Sequence, residues 1–395
     1  WKGLKHFYRT GGLRNPKGMS VLVTALFIVG ETAGGGLVAM AHAVAFAGLK
    51  FGVAILLMGA AMCEMTGQQL GECWSIVQLR YPKYRSHCRK PYPTIARCAI
   101  GRKTAHLVSV TLDMTMFGTA AVFLLLAARN LENMLMTLFQ IQLSYCVIVC
   151  FTAIVIFPLT LLKSPKDFSW AIVAAMITTF CAVCLMIWGI AMDSEICTQH
   201  SVLPVATFQS VFMAFGTVMF AYGGHGAFPT IHHDMHEPTK FRYSVIAAFI
   251  MICMFYLPVS IMGAIVYGDS TQSSIILSVQ DHTIQQTINI LITLHVLLAL
   301  TIVFNPLNQE VEAMLNLPNR FSWRHVLARG GVMLSVLAVA VSFPTFGPLL
   351  DLVGGSTITM MTLIFPATFN LYLNAKLAKY GPRPLSQFEP VTIEE

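Results

Sequence analysis

The chain has 395 residues, 56% of them hydrophobic and only 11% charged, with a mean hydropathy of +0.68 and a formal net charge of +7. Soluble domains carry about 25% charged residues, so a single soluble core is excluded and the composition is that of an all-α polytopic membrane protein. The basic excess does not point to nucleic acid, because its placement follows a membrane topology.

A helix crossing about 30 Å of hydrocarbon needs about 20 apolar residues. Ten stretches qualify in chain order: 20–46, 49–71, 104–128, 143–162, 168–192, 206–232, 243–267, 284–305, 325–343 and 346–373. With the N-terminus in the cytoplasm, twenty-three of the 25 Lys and Arg fall in inner loops and tails, and only Lys50 and Arg129 lie outside. The inner groups include Lys2 to Lys17, Arg80 to Lys103, Lys163 and Lys166, Lys240 and Arg242, Arg320 to Arg329, and Lys376 to Arg383. The run 80–103, with Tyr81, Tyr84 and Tyr92, reads as an inner loop against anionic lipid.

The chain thus divides into an inner segment 1–19, two halves at 20–192 and 206–373, and an inner tail 374–395. Five spans in each half make the halves insert with opposite orientation, an inverted repeat. The first apolar stretch is too long for a cleavable leader. The chain begins with Trp1 rather than Met, so its natural start is expected upstream. Ten cysteines lie mostly in apolar segments and read as small buried hydrophobes. A disulfide between Cys146 and Cys197, both near the outer side, is the alternative for that pair.

Two stretches contain breaks. In the first, Glu31 is followed by Gly34-Gly35-Gly36; in the sixth runs Phe220-Ala-Tyr-Gly-Gly-His-Gly226. Glycine costs a helix about 1 kcal/mol relative to alanine, and a carboxylate in hydrocarbon costs more. Broken helices at matching places in two halves point to a transporter's binding site. Their unpaired backbone groups must face protein or water. Half-helix N-termini can then hold a carboxylate, and free carbonyls an ammonium or metal cation. That layout suits the two charged ends of an amino acid. Thr32, Ala33, Gly34, Gly35 and Gly36 are the candidate substrate contacts of the first break, with Phe220, Tyr222, Gly223 and Gly224 at the second. The glycines have packing of close helices as their alternative, and the aromatics a place in the bundle core.

These residues also carry a resemblance. Gly34-Gly-Gly-Leu-Val-Ala resembles the first-span glycine motif of the amino acid/auxin permease family, and Phe220-Ala-Tyr-Gly-Gly-His-Gly-Ala-Phe-Pro229 is similar to the sixth-span pattern of its vacuolar and vesicular members. The resemblance extends over the whole chain: Gly67 to Tyr81, Met251 to Tyr267-Gly-Asp, Asn305-Pro306, and Phe346-Gly-Pro-Leu-Leu-Asp-Leu-Val-Gly-Gly355. The family implies secondary active amino acid transport on a five-plus-five inverted repeat, driven by protons or sodium. Two features depart from it. The proline that ends the family's first-span motif is absent, with Ala41 and His42 near its place. The family has eleven spans; an eleventh either follows Glu395 or is absent from this branch.

The scaffold so implied brings the third span to the central cavity, which makes Phe117 a further substrate contact. It also brings Asp113 there as an ion-coupling candidate. Glu31 is the second such candidate, as proton carrier or cation ligand, with a structural hydrogen bond or ion pair as its alternative. His225 is the third, since neutral His accepts a proton near pH 6.5; a satisfied core histidine is its alternative. Thr301 on the eighth span, near Thr293 and His295, is the candidate for a sodium site, or else bonds its own helix. His232 and His233 read as solvated inner-loop residues, and Glu64 and Asp351 as structural or gating groups.

The expected function is secondary transport of small neutral amino acids by alternating access, coupled to protons, as a symporter or antiporter. Sodium coupling and a non-transporting amino acid receptor or sensor are the alternatives. No P-loop or hydrolase signature is present, so no enzyme activity is expected. Apart from the coupling ion, no cofactor or resident metal is expected. The expected partners are the amino acid and the bilayer.

Overall fold

The computed structural model describes residues 15–16, 18–85, 88–161, 169–317 and 322–381. Most of the N-terminal basic segment, Lys163, Lys166, Arg320 and the tail from residue 382 lie outside them. No strand occurs among the described residues; a single bridge joins Met19 to Met235.

In chain order the helices are α1 (Val21–Thr32), α2 (Met40–Phe46), α3 (Leu49–Arg80), α4 (Pro91–Ala99), α5 (Arg102–Phe139), α6 (Tyr145–Thr160) and α7 (Ser169–Cys197). There follow α8 (Phe208–Ala221), α9 (Phe228–His233), α10 (Phe241–Tyr267), α11 (His282–Met314), α12 (Trp323–Ser342), α13 (Phe346–Val353) and α14 (Phe365–Tyr380). Seven of the described helices or continuous helical runs are long and apolar enough to cross a membrane. The pair α1 and α2, bent by 58°, makes an eighth if counted as one span. The apolar helices α6 and α8 are shorter, and α8 resumes as α9 after a break.

Local chemistry sets several boundaries. The Ser20 side chain caps α1 by accepting from the Val23 amide, and Asp281 caps α11 by accepting from Ile284. Thr207 and Ser210 form a reciprocal capping box at the start of α8. Gly48, at φ +78°, makes the turn from α2 into α3, a conformation that suits glycine.

Several helices run past the apolar stretches: α3 reaches Arg80 instead of 71, α5 Phe139 instead of 128, α11 Met314 instead of 305, and α14 Tyr380 instead of 373. Hydropathy stops at Glu72, whose carboxylate accepts from Asn370 of α14. The helix continues because protein rather than lipid covers its next turns: Cys73, Trp74, Ile76 and Val77 are all fully buried.

The helices pack as two groups. The first contains α1, α2, α3, α8 and α10: α10 lies along α1, α2 and α3, and α8 against α2 and α3. The second contains α5, α6, α11 and α12: α11 lies along α5, and α12 along α5 and α6; α7 packs on both groups, along α11 on one side and along α10 and α1 on the other. Between Val353 and Phe365 the chain takes two π-helical turns, Gly354–Ile358 and Met360–Ile364. There α8 meets α13 backbone to backbone. A β-carbon on Gly216 would lie 2.5 Å from the Asp351 carbonyl oxygen, and Thr217 donates to the Asp351 carboxylate.

The basic run 80–103 is folded more deeply than a lipid-facing loop. Within α4, Tyr92 is buried and donates to the Met361 carbonyl at 2.6 Å, and buried Arg80 donates to the Lys376 carbonyl at 3.2 Å. His232 and His233, expected to be solvated, are not. His232 is 1% exposed and pairs with Ser75 at 3.1 Å, and His233 pairs with Gln78 at 2.9 Å, because α9 folds back onto α3. Cys146 and Cys197 are free thiols.

Candidate functional site

Both glycine breaks interrupt helices. α1 stops at Thr32, where Ala33 turns to extended backbone (ψ 95°), and regular structure resumes only at the 3-10 turn Leu37–Ala39. α8 stops at Ala221, and α9 starts at Phe228 with Pro229 in its first turn. Among the described residues, no backbone hydrogen bond outside the helices has the amide of Gly34, Gly35, Gly36, Gly224, His225 or Gly226 as donor.

The breaks meet at a partly open cavity of about 100 Å³. Its wall includes nine of the expected residues: Glu31, Thr32, Gly34, Gly35, Gly36, Phe220, Gly223, Gly224 and His225. A β-carbon on Gly224 would lie 2.6 Å from Thr32 Oγ1, and one on Gly36 2.6 Å from the Ala221 Cα. Small residues therefore let the two breaks approach. The Tyr256 hydroxyl on α10 joins them. It lies 2.8 Å from the Ala221 carbonyl and 3.2 Å from that of Thr32. Glu31 is in none of the ion pairs among the described residues. The buried Thr32 Oγ1 and His225 Nδ1 have no hydrogen-bond partner. The wall contains no lysine or arginine.

His225 is fixed by its other nitrogen. Nε2 lies 2.9 Å from the Cys63 carbonyl and 3.2 Å from Thr66 Oγ1, and the ring stacks on Phe228 at 4.5 Å. A carbonyl can only accept, so Nε2 carries the hydrogen and Nδ1 presents a lone pair.

Five expected residues do not line the cavity. Ala33 is buried beside the break. Tyr222 turns away and packs on Phe249 and Tyr256, its ring 5.4 Å from that of Tyr256. Phe117 is off the wall, and its aromatic place is taken by Phe123, which meets Phe220 edge-on at 6.2 Å. Asp113 feels the charges of Glu310 and Lys90, which pair with each other at 2.5 Å on the side of α4. Thr301 donates to the Leu298 carbonyl of its own helix at 2.7 Å.

Sequence reasoning did not select Phe123, Thr362 or His295 as contacts, and all three line the cavity. Phe123 lies six residues after Phe117 on the same helix; His295 stood beside the chosen Thr301 but without a partner visible in sequence. Among the described residues no group of three or more His, Cys, Asp or Glu is placed to hold a metal ion.

A family model described as transmembrane amino acid transporter protein matches residues 17–389. Amino acid transporter AVT1B of Arabidopsis thaliana is 24% identical over 326 residues, 80% of this chain and 58% of its own length. Amino acid transporter AVT1H of the same plant is 30% identical over 177 residues, 43% of this chain and 41% of its own. The vesicular GABA transporter of Caenorhabditis elegans is 27% identical over 175 residues, 41% and 36% of the two chains. Against four of the Arabidopsis relatives this chain spans 54–60% of their length.

Proposed function

The chain belongs to the family of transmembrane amino acid transporters, an integral membrane family of carriers and not of enzymes, and we propose that it moves small neutral amino acids by alternating access, coupled to protons. The observation that carries this reading is the cavity where the two breaks meet. The amides of Gly34, Gly35, Gly36, Gly224, His225 and Gly226 donate to no backbone carbonyl and can take the carboxylate of the zwitterion, and Phe123 and Phe220 flank the cavity.

In this reading the ten apolar stretches form a five-plus-five inverted repeat with a cytoplasmic N-terminus, supported by the breaks in the first and sixth stretches and by the distribution of Lys and Arg. The group of α1, α2, α3, α8 and α10 rocks against α5, α6, α11 and α12. The preference for protons over sodium is supported by two titratable expected residues, Glu31 and His225, on the cavity wall, while Thr301 lies off it. Counterflow over the amino acids in proteoliposomes, at several pH values with and without sodium, tests the reading. Uptake that needs sodium and ignores a pH gradient would sink the proton version. Binding without flux would leave a receptor.

A further inference from the structure

We infer that His295, on Nε2, is the group that carries the coupled proton. This deepens the reading above and rests on its proton coupling.

His295 is 2% exposed on α11 and lines the cavity. Its Nδ1 lies 2.8 Å from Thr179 Oγ1 and 3.1 Å from the Ala175 carbonyl, both on α7. The Thr179 hydroxyl itself donates to the Ala175 carbonyl at 2.9 Å. Nδ1 is therefore the protonated nitrogen, and in the neutral ring Nε2 keeps its lone pair. That lone pair is aimed at the first break: a β-carbon on Gly34 would lie 2.7 Å from Nε2. A proton taken up on Nε2 adds a donor there without disturbing the Nδ1 bond, so the ring changes charge without changing place.

α1 ends at Thr32, so the negative end of its dipole faces this corner, and Glu31 sits in its last turn. The titratable groups on the cavity wall are Glu31 from α1, His225 from the second break and His295 itself. The wall residues of α5 are apolar or hydroxylic, and α7 brings Ala175.

Position separates the three groups. His225 is bonded to Cys63 and Thr66 of α3, within the same packing group as the helix it interrupts. Charging it changes nothing between groups. Glu31 belongs to that group as well. His295 stands on α11 of the second group, is held by α7, which packs on both groups, and faces the α1 break of the first. The proton passes from water on the acidic side to Nε2, forming an N–H bond that donates towards the α1 break. After reorientation that bond breaks and the proton leaves to water on the other side. Charged, the ring ties the groups together; neutral, it releases them.

The test uses the purified full chain in proteoliposomes. An inward gradient of about one pH unit supports about ten-fold accumulation at one proton per substrate. Wild type should reach it. His295→Gln should still exchange substrate in counterflow at a measurable rate, yet accumulate none, and its uptake should lose its dependence on pH between about 5 and 8. Accumulation by H295Q equal to wild type overturns the proposal, as does loss of accumulation in Glu31→Gln with retention in H295Q. If H295Q does not fold, Thr179→Val decides: the pH midpoint of wild-type-like accumulation should move by about half a unit or more, and an unmoved midpoint overturns it. Wild-type counterflow without any response to the pH gradient refutes proton coupling and this assignment together, whereas absence of counterflow for every amino acid refutes transport itself.

Discussion

Gly36 and Ala221 are in contact across the two helix breaks: a β-carbon on Gly36 would lie 2.6 Å from the Ala221 Cα and 2.8 Å from its Cβ. Both obstacles belong to the backbone and its first side-chain atom, so neither can swing aside. Gly36→Ala must push the breaks apart, at a cost of about 1–3 kcal/mol for overpacking. The expected outcome is a lower Tm in detergent together with loss of uptake. Gly331→Ala on α12 is the matched control. Nothing lies within 4 Å of the added carbon there, so helix propensity should raise stability by up to about 1 kcal/mol.

Removing one oxygen from α10 tests the bridge between the breaks. Tyr256→Phe keeps the ring against Tyr222 but leaves the Ala221 and Thr32 carbonyls without their shared donor. A loss of about 1–3 kcal/mol follows from two buried acceptors unpaired, read as a fall in Tm. Maximal uptake should fall too, since these carbonyls set the geometry of both broken ends.

The aromatic pair sets the size limit. Phe123→Leu opens the wall opposite Phe220. In a competition assay, branched amino acids should gain on alanine by about ten-fold, the scale of one or two methylenes in an apolar pocket. An unchanged order of preference would remove Phe123 from substrate recognition.

On α4, outside the spans, burial pushes the Cys98 thiol up to about 12. The folded protein therefore keeps this thiol protonated at pH values where the unfolded chain ionises it. The raised value contributes stability that is complete below about pH 8.5 and is lost as pH climbs towards 12. Alkaline unfolding of Cys98→Ala should show a shallower slope across that window. At pH 7.5 a maleimide should spare the buried Cys98 in the folded protein and label it once the chain is unfolded.

The breaks were legible in the sequence because glycine and a carboxylate are costly inside hydrocarbon and cheap at an interruption. What lay opposite them was not. Tyr222 lies in the break itself, where helical periodicity does not apply, and Phe117 sits on α5 among Thr115, Thr119 and apolar residues, a mixture that does not single out the side facing a cavity. Asp113 was placed by the span it stands on, and the span says nothing of Lys90 and Glu310 waiting at its side. His232 looked solvated because it fell in an inner loop, yet Ser75, 157 residues earlier, receives it. The π turns after Val353 left no trace in composition, since they arise from packing against α8.

That packing carries a mechanical consequence. Gly216 and Asp351 touch through bare backbone, and the Thr217 hydroxyl is clasped to the Asp351 carboxylate. No flexible side chain lies between them to act as a bearing. α8 cannot slide past α13 without opening a void, so the two helices travel as one lever, and whatever tilts the second break also drags the π turns that form the opposite cavity wall.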